Sequence, residues 1–205
     1  MEDKFIKEKI KSLVASVIPY DDLERVHAED IINWISSGVN IFRIKKDAVP
    51  PKHLVSYCLI LDPDRETVLL FDHKKAKLML PCGGHIEINE MPLTAARREL
   101  KEELGSSPDL FSPGIPDENV PFFVTVTKTA GISEPHTDVS LWYLFIEDSA
   151  EPFTAKGHEY ENEFSDFHRM SFDEVLSTLV DKFDPHMHRL IHKVRKFKKI
   201  KLIDF

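Results

Sequence analysis

Between Pro92 and Gly105 the sequence PLTAARRELKEELG puts two opposed faces on one predicted helix. Leu93, Ala96, Leu100 and Leu104 recur at spacings of 3, 4 and 4 and form an apolar stripe. Proline at the first helical position and glycine just past the last one suit the two helix ends. Glu99, Glu102 and Glu103 stand at i, i+3 and i+4, so a helix gathers three carboxylates on another face. Like charges at that spacing repel by some tenths of a kcal/mol each, and a helix kept for solubility would alternate signs there. Hard divalent cations such as Mg²⁺ or Mn²⁺ between the carboxylates would remove the repulsion. The helix therefore calls for an apolar sheet on one side, and its acidic face suits either a cation site or a solvated, glutamate-rich surface.

The flanking sequence supplies the sheet. Leu54–Leu61 is rich in β-formers, Asp62-Pro63-Asp64-Arg65 is turn chemistry, and Thr67–Asp72 follows as a second strand. Leu78–Leu80 is a short apolar piece leading into Pro81-Cys82-Gly83-Gly84, and Phe122–Thr129, Asp138–Ile146 and Phe164–Met170 are further strand candidates. Ser171 and Glu174 read as a capping box opening a helix to about Asp181, and a basic helix is expected from His186 to Lys199. Strands interleaved with few helices predict an α/β fold with a mixed sheet covered by helices. Ahead of it, helical patterns cover residues 3–18, ended by Pro19, and 21–37, ended by Gly38. The run Asp47–Lys52 (DAVPPK) reads as a linker, which divides the chain into a helical extension, residues 1–46, and a main domain, residues 50–205.

Charge and cysteine usage exclude several classes. With 35 acidic against 27 basic residues the formal charge is −8, which disfavours a partner held through duplex nucleic-acid phosphates. The longest uncharged run, Ile31–Phe42, is too short and polar for a bilayer, and the mixed-charge start MEDKFIKEK lacks a signal-peptide core. Two cysteines, Cys58 and Cys82, make neither a disulfide framework nor a metal ribbon, so a reduced, cytoplasmic protein is expected. Before the helix, Gly83 and Gly84 let the backbone bend and expose a carbonyl to the same cations, and Arg98 is placed to pair with Glu90 and hold the loop.

The segment GHIEINEMPLTAARRELKEELG resembles the Nudix signature: glycine, five residues, glutamate, seven residues, then Arg-Glu-aliphatic-x-Glu-Glu-x-Gly-aliphatic. Gly84, Glu90, Arg98, Glu99, Leu100, Glu102, Glu103 and Gly105 match; Ser106 replaces the final aliphatic residue. Asn89 stands where many relatives have glycine, and it tolerates a left-handed backbone. The run from His53 to Glu87 looks like the strand, hairpin and loop of many bacterial members, and PHTDVSLWYLF looks like a later strand of a subgroup with a GGH-type loop.

The resemblance implies a Nudix-type α/β/α sandwich with a mixed β-sheet, here carrying N-terminal helices. It implies Mg²⁺-dependent (or Mn²⁺-dependent) hydrolysis of a diphosphate linkage in a nucleoside diphosphate derivative: a nucleoside triphosphate, oxidised nucleotide, nucleotide sugar or dinucleotide. By position, Glu99, Glu102 and Glu103 with the carbonyl of Gly84 become metal ligands. The base varies among subfamilies, and Glu99 or Glu102 is expected in that role. Glu163 is the first choice for a distal carboxylate at the metal, and His136, in a loop on the substrate side, is a candidate substrate contact. Glu90, Arg98, Leu100 and Gly105 are structural parts of the motif. The partner is thus a small-molecule diphosphate, with no duplex nucleic acid and no membrane, and a homodimer is compatible with the sequence. The rival reading is a sensor that binds a nucleotide without cleaving it.

Overall fold

The structure is a computed structural model and describes residues 2–45, 49–105, 107–129, 135–147 and 160–201. Its elements are α1 (Glu2–Ala15), α2 (Asp22–Ser36), β1 (Lys52–Asp62), β2 (Thr67–His73), β3 (Met79–Leu80), β4 (Cys82–His85), α3 (Pro92–Leu104), β5 (Asp109–Phe111), β6 (Phe123–Thr129), β7 (His136–Ile146), α4 (Tyr160–Glu163), β8 (Phe164–Ser171), α5 (Phe172–Ser177) and α6 (Met187–Lys201). The eight strands form one sheet of order β3-β2-β1-β7-β5, with β4 paired to β1, β6 to β7 and β8 to β2. The pairs β1–β2, β2–β3, β2–β8, β5–β7 and β6–β7 are antiparallel. Thr137 N donates to Pro51 O, and ten residues on along both strands Glu147 N donates to Leu61 O, so β1 and β7 run parallel and the sheet is mixed. Among the described residues, no helix is long and apolar enough to cross a membrane.

The chain divides into two compact units: residues 1–57, 83–98 and 117–143, and residues 58–82, 99–116 and 144–205. In the first unit α2 lies along β6. Ile10, Ile31, Phe123 and Trp142 are completely buried, and the Trp142 indole N–H donates to Thr125 Oγ1 at 3.0 Å. Ile41 and Phe42 are also buried, and Leu54 N donates to Ile41 O, so the segment after α2 is tied to the start of β1. The linker expected over residues 47–52 lies partly outside the described residues.

Glu24 links α2 to the sheet. Asp21 caps the helix by accepting from Glu24 N, while the Glu24 carboxylate accepts from Tyr20 N at 2.6 Å and from Val124 N of β6 at 3.3 Å. The residue is fully buried. Removing the carboxylate would leave two backbone donors without this partner, so Glu24→Ala is expected to cost about 3 kcal/mol in a urea titration. Glu24→Gln, which retains one acceptor, should lose less. Equal stability of wild type and Glu24→Ala would refute this role.

In the second unit Phe71 of β2 packs on Phe164 at 5.1 Å between ring centroids. The capping box is present: Ser171 Oγ accepts from Glu174 N, and the Glu174 carboxylate accepts from Ser171 N. The helix it opens ends at Ser177, short of the expected Asp181. The Ser177 and Thr178 hydroxyls both donate to Glu174 O, and Thr178 turns to an extended ψ of 144°. A single 3₁₀ turn, Val180–Lys182, follows. Strand β5 was not legible in the sequence; three residues between Pro108 and Ser112 become a strand only because Asp109, Leu110 and Phe111 face Ile146, Phe145 and Leu144.

Candidate active site

The loop between β4 and α3 is built around an ion pair. Arg98 Nε donates to Glu90 Oε1 and Arg98 Nη2 to Glu90 Oε2, both at 3.0 Å, which is a two-pronged fit between guanidinium and carboxylate. The same Nη2 donates to His85 O at 3.0 Å. Glu90 Oε2 also accepts from Glu87 N at 2.9 Å, so one carboxylate closes the turn and docks it on the helix. Asn89 has φ 64°, the left-handed conformation expected of it. Ser56 Oγ of β1 donates to Pro92 O at 2.9 Å and fixes the helix start. Gly83, with φ 143°, stands against the backbone of Ser56 and Tyr57. Gly84 is half-buried in β4.

Lysine presents a point charge and lacks the planar fork, so Arg98→Lys is expected to loosen the loop without unfolding the domain. A fall of about tenfold in turnover with little change in melting temperature is the expected result; unchanged turnover would rule out a positioning role for Arg98.

Helix α3 has the two faces read from its sequence. Leu93, Ala96, Leu100 and Leu104 are all buried, and Gly105, at φ 66°, ends the helix. On the acidic face Glu99 and Glu102 are half-exposed, whereas Glu103 is only 5% exposed. The thiol of Cys82 is pushed well above its usual value, first by complete burial, then by the Cys58 side chain beside it and by the negative field of Glu103 and Glu99. These two carboxylates therefore act at the first residue of β4. A thiol held protonated is a poor metal ligand, so the donors offered here are hard carboxylate oxygens. The set fits a hard divalent cation: three carboxylates within one turn of helix, one of them largely withdrawn from water. With both thiols buried, native protein at pH 8 is expected to resist iodoacetamide, and labelling should appear only on unfolding. Rapid native labelling, read by mass spectrometry, would contradict this burial.

Glu163 and His136 are the other expected site residues. Glu163 ends α4, with Oε2 at 3.5 Å from His73 Nε2 and Oε1 at 3.7 Å from Lys75 Nζ. Burial lowers the His73 pKa more than Glu163 raises it. His136 opens β7, where its Nε2 lies 3.4 Å from Asp138 Oδ1 and its ring stacks on His53 at 5.3 Å. His53, His85 and Asp138 join this group without a motif to mark them. His53 and His85 approach to 3.1 Å between their Nε2 atoms, and His53 Nε2 lies 3.3 Å from Asp138 Oδ1. The His85 pKa is pushed down to about 3 by burial, then by the charges of Arg43, His53 and His136. The one sequence signal for this group is His136-x-Asp138, two side chains on one face of a strand. Ser106, the departure from the motif, lies outside the described residues.

A mixed sheet with covering helices, a buttressed glycine loop and a helix bearing three carboxylates defines an α/β/α sandwich protein with an acidic, cation-ready helix. The model of the NUDIX domain matches residues 51–194, more than half of the chain, and the chain belongs to the Nudix family of hydrolases. The solved structure of a NUDIX hydrolase from Nitrosomonas europaea is similar at TM-score 0.50 and 19% identity, over 71% of this chain and 89% of that one, which supports the fold. A NUDIX-family hydrolase from Clostridium perfringens aligns at TM-score 0.48 and 23% identity, over 72% of this chain and 97% of that one. The Ap4A hydrolase of C. elegans aligns at TM-score 0.48 and 14% identity, over 70% of this chain and 96% of that one. No curated protein matches the chain.

Proposed function

We propose that this chain is a Mg²⁺-dependent pyrophosphohydrolase that cleaves a diphosphate linkage in a nucleoside diphosphate derivative, with Glu99, Glu102 and Glu103 as metal ligands. The observation that carries the reading is the acidic face of α3, where three carboxylates share one turn and Glu103 is almost closed to solvent. A divalent cation bound there would screen the anionic oxygens of the diphosphate and make the attacking water more acidic. Glu103, withdrawn from water, suits a fixed ligand. Glu99 and Glu102 remain half-exposed, so one of their carboxylate oxygens can take a proton from a water on the substrate side. The Arg98–Glu90 pair orients the loop that leads into this helix and holds the carbonyl of His85 in place. The buried, reduced Cys58 and Cys82 support a cytoplasmic setting.

The test is a panel of nucleoside triphosphates, oxidised nucleotides, nucleotide sugars and dinucleoside polyphosphates, with product chromatography. Cleavage of one class is expected with Mg²⁺, complete loss with EDTA, and recovery on adding Mg²⁺ back. Activity that survives EDTA would refute the metal role. Binding of a panel member by thermal shift, with no cleavage under Mg²⁺ or Mn²⁺, would replace the hydrolase reading by a sensor.

A further inference from the structure

We propose that His53, His136 and Asp138 form a second cation site, one that selects a first-row transition ion of the Zn²⁺ class over Mg²⁺. His53 is fully buried at the start of β1, and its Nδ1 lies 2.8 Å from Pro50 O. A carbonyl oxygen only accepts, so Nδ1 carries the proton and Nε2 presents its lone pair. This is the usual arrangement of a metal-binding imidazole, with the second ring nitrogen fixed by a backbone carbonyl. In this tautomer Nε2 lies 3.3 Å from Asp138 Oδ1, where two acceptors meet, and accepts from His85 Nε2 at 3.1 Å, a partner that a cation on Nε2 would replace. Asp138 Oδ1 is buried and makes no hydrogen bond. His136 Nε2, at 3.4 Å, is its other near neighbour. Burying an acceptor without a partner costs about 1–3 kcal/mol, and more for a charged one, so a cation among these atoms removes a standing penalty.

The spacing suits a metal. With bonds of about 2.0–2.2 Å, neighbouring ligand atoms of a tetrahedral site lie about 3.3 Å apart. Two of the three separations here are 3.3 and 3.4 Å, and all three ligand atoms lie within 4.8 Å of one another. Two imidazoles and one carboxylate favour Zn²⁺ or its first-row neighbours, whereas Mg²⁺ prefers oxygen ligands and retains its waters. Three protein ligands leave a coordination position open. The site is also attached to the loop: the ring of His85 reaches His53, and the backbone carbonyl of His85 accepts from Arg98. The inference does not depend on the carboxylates of α3.

The experiment uses the full chain, stripped with a chelator and titrated with Co²⁺ in a millimolar excess of Mg²⁺. Expected are visible d–d absorption saturating at one equivalent, displacement by Zn²⁺, and a rise in melting temperature with Zn²⁺. His136→Gln and Asp138→Asn should each weaken Co²⁺ binding by about tenfold or more, while Glu102→Gln should leave it unchanged. Circular dichroism establishes that each variant is folded. His136→Gln decides the matter if Asp138→Asn unfolds. No Co²⁺ absorption in the folded wild type overturns the proposal. Binding that survives both variants, or that vanishes with Glu102→Gln, also overturns it, and the latter would move the ion to α3.

Discussion

Glu102→Gln is expected to lower turnover by about a hundredfold or more while leaving the melting temperature nearly unchanged. Glutamine matches glutamate in shape, so the half-exposed side chain loses little packing. It loses its charge, and with it both a strong ligand for a hard cation and a proton acceptor. Removing one of three clustered negative charges also relieves repulsion along the helix, by some tenths of a kcal/mol per pair. The expected signature is therefore a folded protein, slightly stabilised without metal, with weakened Mg²⁺ dependence and little activity. Parallel measurement of turnover against Mg²⁺ concentration and of thermal unfolding checks both halves. Turnover within a fewfold of wild type would remove Glu102 from the site and leave Glu99 as the candidate base.

Gly83→Ala is expected to destabilise the fold by about 3 kcal/mol or more. Two penalties combine. At φ 143° the backbone occupies a region that side-chain-bearing residues rarely adopt. A Cβ there would also meet Ser56 O at 2.3 Å and Tyr57 Cα at 2.9 Å. Both are backbone atoms within β1, which has neighbours in the sheet and cannot yield as a flexible side chain would. Accommodation would force β4 away from β1 and disturb the loop that Arg98 and Glu90 hold. A urea midpoint within error of wild type would show that the strand pair yields more easily than this geometry allows.

The local features of the loop and helix were legible because each follows from neighbours in the chain. The apolar stripe Leu93-Ala96-Leu100-Leu104 is a matter of helical period, and its burial followed. Asn89 tolerates left-handed backbone by its chemistry and adopts φ 64°. Arg98 and Glu90 were read as a pair and form one. The Ser171–Glu174 box was equally visible, although hydroxyl back-bonding at Ser177 and Thr178 ended its helix early. Gly84, by contrast, is a motif position, whereas nothing in the sequence sets Gly83 apart. Only the approach of β1 distinguishes Gly83 as a position where no side chain fits.

By itself, the sequence determined the family, the acidic helix and the ion pair that supports it, because helical period, turn chemistry and charge pairing act over a few residues. The tertiary structure alone decided what depends on register between distant strands. Strand β5 exists because β7 lies opposite, and Glu24, a residue of the first turn of α2, reaches Val124 N of β6. His53, His85 and His136 are far apart in sequence and meet only because β1 pairs with β4 and runs parallel to β7. Strand pairing is fixed by the burial of whole faces, and no short-range pattern in a single sequence records which strands will lie side by side.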